Sequence, residues 1–289
     1  MCWNGSGGAT MHSAIEQFST AMQAAGLAPP DTIEADGGLH RFSTSGKRGD
    51  DSGWYVLHPD GVAAGVFGCW RNGLSQTWSS KPDTAMTQPE RDAHRQRIKA
   101  MRAQRDTEQA QRQQQASQTA EALWQAAAPA TKHDYLARKG IQPHGARCDG
   151  QRLVIPLRDV DGTLHSLQTI APDGDKRFMP GGRVAGCYHS MGKPQGVLVV
   201  CEGFATGASI HEATGHAVAV AFNAGNLLPV AQALHGKYPA LRIIVAADDD
   251  WHTEGNPGLT KATEAAKAVG GNLKKPEFGD SRPEKATDC

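Results

Sequence analysis

Residues 196–250 read GVLVVCEGFATGASIHEATGHAVAVAFNAGNLLPVAQALHGKYPALRIIVAADDD, and their pattern decides the fold. Three near-continuous apolar runs, VLVVC, AVAVAF and RIIVAA, alternate with two helical stretches, ATGASIHEATG and NLLPVAQALHGKYP. A third, KATEAAKAVGG, begins at Lys261. Apolar strands alternating with short helices predict an α/β domain whose parallel sheet carries helices on both faces. Ligands of such sheets gather at the carboxyl ends of the strands. Glu202, Asn223 and the run Asp248 to Asp250 all fall there.

Adjacent parallel strands ending at Glu202 and at Asp248 would crowd several carboxylates at one sheet edge. Left alone, such a cluster repels itself and some of its members are driven towards the protonated form. A hard divalent cation, Mg²⁺ or Mn²⁺, removes that cost, because it prefers oxygen ligands and keeps waters for phosphate substrates. In Asp-x-Asp at a strand end the first and third side chains share a side, so Asp248 and Asp250 are paired as metal ligands while Asp249 faces elsewhere. Zinc is not expected, since Cys2, Cys69, Cys148, Cys187, Cys201 and Cys289 form no CxxC pair. HEATGH, from His211 to His216, is a decoy for H-E-x-x-H. Its five-residue spacing turns the two rings about 140° apart on a helix.

Upstream of this domain, RLVIPLRD and LHSLQTIA flank Val160-Asp161-Gly162-Thr163 and predict a hairpin. HDYLARKGI before it reads as a short helix ended by Gly140. The turn after the hairpin delivers Lys176, Arg177 and Arg183, with Gly181 and Gly182 between them. Cations beside glycines suit a phosphate. Residues 81–128 contain good helix formers but few apolar positions, which predicts a polar connector helix. Its arginines suit either a phosphate backbone or a solvated face, and the interspersed acids favour the second. Residues 52–78 alternate β-formers with turn pairs and predict a small antiparallel sheet after a short amphipathic stretch, His12 to Leu27. Trp54, Trp70 and Trp78 there are candidates for stacking on bases, with core packing the preferred alternative. The expected organisation is a β-rich front (1–80), a connector (81–128), a basic β-containing segment (129–193) and the α/β domain (194–289).

Composition excludes some classes. No apolar run of this 289-residue chain approaches the ~18–20 residues that cross a bilayer, and the start has no leader pattern, so a cytoplasmic protein is expected. No G-x-x-x-x-G-K-[ST] motor motif occurs. The 30 basic and 30 acidic residues balance, yet the chain to Lys193 holds 22 basic against 19 acidic, and the remainder 8 against 11. A basic front and an acidic end fit nucleic acid and divalent metal respectively, with template binding weak and salt-sensitive.

The glutamate in VLVVCEGFATGAS and the Asp-x-Asp in IIVAADDD, in this order, resemble the Toprim domain of bacterial primases, type IA and II topoisomerases and several nucleases. With KRFMPGGRVAGCYHS, GNPGLTKATEAAKAVGG and the N-terminal GLHRFSTSGKRGDDSGWYVLHPDG, nearly the whole chain is similar to plasmid- and phage-borne primases of the TraC type. The resemblance implies Glu202 as the catalytic glutamate, Asp248 and Asp250 as the metal pair, and Lys176, Arg177 and Arg183 as phosphate-handling residues. Asn223 and Asn226 are expected near the nucleotide, and Lys261 as a further phosphate contact. Members of the family continue past a Thr-Asp pair, whereas this chain stops at Cys289; Asp288 is the expected accessory metal ligand, and a truncated form is the expectation. The implied activity is primer synthesis from ribonucleoside triphosphates on single-stranded DNA, with a replicative helicase as a further partner and no membrane. A Toprim nuclease and a non-catalytic single-stranded DNA-binding protein are the alternatives. A topoisomerase would need a tyrosine nucleophile in a domain of its own, and none is apparent.

Overall fold

The computed structural model describes residues 6–47, 50–71 and 73–276. It divides into two compact units, Met1–Ala110 and Gln111–Cys289. The first contains helix α1 (Ser6–Ala24), strands β1 (His40–Phe42), β2 (Gly53–His58), β3 (Ala64–Cys69) and β4 (Leu74–Ser79), and the first part of the long helix α2 (Gln88–Ala126). The strands form an antiparallel meander in the order β1-β2-β3-β4. Side chains alternate across it, as a period of two demands. Tyr55, Leu57 and Phe67 pack with Phe18 and Met22 of α1 on one face, while Trp54, Val56 and Val66 pack with Met101 of α2 on the other.

Trp54, Trp70 and Trp78 are therefore packing residues. Trp54 is buried with its ring tilted against Trp70 at 5.2 Å, and Trp78 meets Phe18 edge-on at 5.4 Å. At the start of helix α2 the Glu90 carboxylate accepts from the backbone N–H and the hydroxyl of Thr87, which satisfies one of the free N–H groups there. Several of its arginines are engaged by the protein itself. Arg97 donates to the carbonyls of Asp60 and Val62 and to the Asp60 carboxylate. Arg105 lies over the Trp54 ring at 5.3 Å, and Glu108 pairs with Arg41 at 2.8 Å. A helix with so few apolar residues is thus held to its sheet largely through guanidinium contacts.

The second unit begins with the rest of α2 and continues through β5 (Ala128–Pro129), α3 (Asp134–Lys139), β6 (Arg147–Cys148), β7 (Leu153–Arg158), β8 (Leu164–Ile170) and β9 (Lys176–Phe178). These five strands form an antiparallel sheet in sequence order. After β10 (His189–Met191) come β11 (Val197–Cys201), α4 (Phe204–Thr214), β12 (Ala217–Val220), α5 (Leu227–Lys237), β13 (Arg242–Ala246), α6 (Pro257–Ala268) and β14 (Asn272–Lys274). Their order is β10-β12-β11-β13-β14, parallel except for β10, which runs antiparallel to β12 at the edge. The expected α/β sheet is present, as a mixed sheet rather than a purely parallel one.

Each central strand feeds two cores. Leu198 and Val200 of β11 and Ala217 and Ala219 of β12 face α5 and α6. Val199, Cys201, Val218 and Val220 face the other way, where Phe204 and Ala208 of α4 meet Leu153, Ile155, Leu157 and Ile170 of the antiparallel sheet. That second sheet shares the covering of a face that pattern reading assigns to helices alone. The C-terminal part of α2 packs on its far side through Ala120 and Trp124, against Val154, Leu164 and Leu167. Arg147 caps this contact, with its guanidinium 4.4 Å from the Trp124 ring centre. No helix among the described residues is long and apolar enough to cross a membrane.

Two consequences are measurable. Trp124→Ala should cost about 3–5 kcal/mol in urea unfolding, whereas its exposed neighbour Leu123→Ala should change stability by less than about 0.5 kcal/mol. His189, buried in β10, donates from Nε2 to the His144 carbonyl at 2.9 Å, and burial lowers its pKa from 6.5 to about 4. Between those values the unfolded chain binds a proton that the native state refuses, so this contribution is complete above pH 6.5 and is lost as pH falls towards 4. The loss should amount to roughly 3 kcal/mol, and His189→Gln should flatten the acid limb of stability against pH.

Candidate functional site

The register of β11 on β13 pairs Val200 with Val245, so the chain leaves both strands at nearly the same level. Glu202 emerges one residue after β11 ends, and Asp248 two residues after β13. Ala221 and Phe222 prolong the pairing beyond β12, donating to the carbonyls of Cys201 at 2.8 Å and Glu202 at 2.9 Å. Glu202 thereby lies between the ends of two neighbouring strands.

The electrostatics record the crowding. Burial raises the Glu202 carboxyl above its ordinary range and Asp250 raises it further, while the Ala224 N–H and the Lys176 ammonium pull it down. Burial also pushes the Cys201 thiol up, with Asp248 and Glu202 adding to it. Glu202, Asp248, Asp250 and Lys176 therefore occupy one electrostatic neighbourhood. A divalent cation suits this donor set, because it would remove the repulsion that now opposes ionisation of Glu202.

The acidic loop is held from below by the start of α6. Asn256, at a φ of 41°, accepts from Leu259 N–H and donates to the Asp249 carboxylate at 2.7 Å. The Gly258 N–H donates to Asp250 Oδ2 at 3.1 Å. A Cβ at Gly258 would stand 2.7 Å from the Asp248 carbonyl oxygen and 2.8 Å from Asp250 Oδ2, so only glycine lets the helix approach this closely. Sequence reading missed both residues, although Asn-Pro-Gly before a helical run is a legible helix start.

The remaining predicted residues divide. Lys176 acts on Glu202 electrostatically, but Arg177, on the opposite side of β9, donates to Asp175 at 2.7 Å. Arg183 donates to Asp159 Oδ2 at 2.9 Å, an oxygen it shares with His165 at 2.7 Å. Gly182 serves packing on the protein: a Cβ there would lie 2.2 Å from Ser166 Oγ. Lys261 pairs with Glu264 at 2.8 Å on the surface of α6. Asn223 caps the turn that follows, accepting from Asn226 N–H at 3.0 Å. Asp288 lies outside the described residues.

Asn226 is committed to the fold. Its amide donates to the carbonyls of Cys187 at 2.9 Å and Ala221 at 2.8 Å, and accepts from Gly186 N–H at 2.7 Å. It pins the segment before β10 to the end of β12. The HEATGH run is a helix end, where His211 Nδ1 donates to the His216 carbonyl at 2.6 Å and Gly215 terminates α4 in the left-handed region.

Among the described residues the three metal-capable groups with ligand atoms within 4.8 Å of one another are Glu34, Asp36 and His40 of the first unit, whereas Glu202, Asp248 and Asp250 do not come together at that spacing. His40 Nε2 already meets Asp36 Oδ1 there at 2.7 Å. Sequence reading did not single out this Glu-x-Asp-x-x-x-His spacing.

Residues 197–277 match the family model described as a Toprim domain. Two proteins of Escherichia coli named DNA primase TraC are each 39% identical, over 280 and 282 residues, or 91% of this chain. The chain spans 26% of the length of one and 19% of the other. Among solved structures, the Aquifex aeolicus primase (zinc binding and RNA polymerase domains) is similar at 13% identity and a TM-score of 0.41, over 93% of this chain and 79% of that one.

Asn226→Ala should leave two buried carbonyls and one N–H unsatisfied and cost roughly 3 kcal/mol or more in chemical denaturation. Asn226→Asp, which cannot donate, should be no better. An unchanged unfolding midpoint in both would contradict the structural role.

Proposed function

We propose that this Toprim-domain chain, similar to DNA primase TraC over 91% of its length, synthesises short RNA primers on single-stranded DNA by metal-dependent nucleotidyl transfer. The reading extends to replication or conjugation of a plasmid, phage or integrative element in the cytoplasm, with a replicative helicase as a further partner. The observation that supports it is that Glu202 follows β11 and Asp248 follows β13 at one level of the mixed sheet, as the pairing of Val200 with Val245 requires.

Primer synthesis joins two ribonucleotides as a 3′-hydroxyl attacks an α-phosphate and pyrophosphate leaves. Mg²⁺ or Mn²⁺ held by Glu202, Asp248 and Asp250 would supply neutralisation of the triphosphate and of the leaving pyrophosphate. Lys176 brings a cation to the phosphates from β9. Glu202, whose proton affinity is raised by burial and by Asp250, either belongs to the cation site or accepts the proton of the attacking hydroxyl. Asp159 orients Arg183 as a further phosphate contact, and Asn223 lines the loop beside Glu202. Asn226 is left out of the nucleotide contacts, since its amide is spent on backbone groups.

Glu202→Gln and Asp248→Asn should each abolish dinucleotide synthesis from labelled ribonucleotides on single-stranded DNA in Mg²⁺ or Mn²⁺. Far-UV circular dichroism and template binding should stay as in the wild type. Full activity in both variants overturns the assignment. Shortening of labelled DNA in place of primer growth would identify a nuclease, and DNA binding in EDTA without incorporation under any metal a binding protein.

A further inference from the structure

Strand β9 carries more than a cation. Lys176 and Phe178 are two residues apart on it, so both side chains leave on one face, with Arg177 on the other. Lys176 interacts electrostatically with Glu202. The Phe178 ring meets that of Phe222 edge-on, with centroids 6.1 Å apart. Since Phe222 N–H donates to the Glu202 carbonyl at 2.9 Å, both side chains on this face of β9 are tied to the same turn of backbone.

Two features of this pair call for an explanation beyond packing. Phe178 remains 37% exposed, one of three large exposed apolar side chains among the described residues of known burial. Phe222 has a φ of 72°, in the left-handed region that a bulky aromatic residue rarely occupies. Strain of this kind persists where the surroundings enforce it and collects at ligand sites. Here it turns the Phe222 ring into the core, where its side chain is 8% exposed and buttresses Phe178. The result is a supported, half-exposed aromatic face next to a lysine and a carboxylate cluster.

Resting on the primase reading above, we infer that Phe178 is a stacking platform for a nucleobase whose phosphates lie at Lys176 and the carboxylate edge. Base stacking on an aromatic side chain is tolerant of base identity, because every base has a π-face. Phe178 would therefore add affinity for nucleotides as a class and leave sequence choice to template pairing. The base belongs either to a bound ribonucleotide or to the nucleic acid strand.

Calorimetric titration of the intact chain in Mg²⁺ with ATP, with inorganic tripolyphosphate, and with matched single-stranded oligonucleotides with and without bases tests this. Phe178→Ala should weaken ATP about tenfold and leave tripolyphosphate unchanged, and Phe178→Trp should restore ATP. Weakening confined to the base-bearing oligonucleotide, with the abasic one unaffected, would assign the platform to the strand. Equal weakening of ATP and tripolyphosphate, no change in ATP or either oligonucleotide, or the loss arising instead in Trp251→Ala, which alters the exposed aromatic beside Asp250, overturns the inference. Failure of the primase reading looks different: wild-type tripolyphosphate binding would survive EDTA and Glu202→Gln.

Discussion

Parallel pairing of β11 with β13 is the constraint on which the site depends. The two strands share a register, so whatever follows them in sequence emerges at one level of one sheet edge. Acidic residues follow both. The hydrophobic cores on the two faces supply the stabilisation, and the carboxylate edge is where part of it is given up, since Glu202 is buried against the charge of Asp250. Burial and the charge of Asp250 together raise the proton affinity of Glu202. The close approach of α6 at Gly258 and the hydrogen bonds from Asn256 and Gly258 keep the acidic loop in place.

The antiparallel sheet of the second unit has two roles. One side of β7 and β8 completes the core under α4, which makes that sheet part of the α/β domain's own packing. Its last strand, β9, presents Lys176 and Phe178 to the end of β11 and β12. Asn226 then ties the segment before β10 to the same strand ends. The carboxylates proposed for the site thus follow two strands, β11 and β13, and the cation and aromatic ring share a third, β9.

Much of this was legible in the chain itself. Apolar runs followed by Glu202 and by Asp248 to Asp250 predicted both the sheet and the edge that the acids occupy, because strand polarity alone decides at which end they lie. The hairpin of β7 and β8 was equally plain from its turn. The long helix was legible as a helix, but its environment was not. Its few apolar residues conceal a buried Met101 and Trp124, and its arginines find partners such as Asp60 that lie far away in sequence. The chemistry of Asn226 was misread for the same reason. An asparagine in a loop beside a strand end looks available to a ligand until the segment that it anchors is seen.

Sequence by itself determined the strand–helix alternation, the identity of the acids at the strand ends and the presence of a basic turn upstream, since all three follow from local period and residue type. Tertiary structure decided which of these groups meet. It set Lys176 within electrostatic range of Glu202, engaged Arg183 with Asp159, and placed Phe178 against Phe222. Pairings of this kind depend on register and on the twist of one sheet over another. Neither is encoded in any short stretch of chain, because each arises only when distant strands share a core.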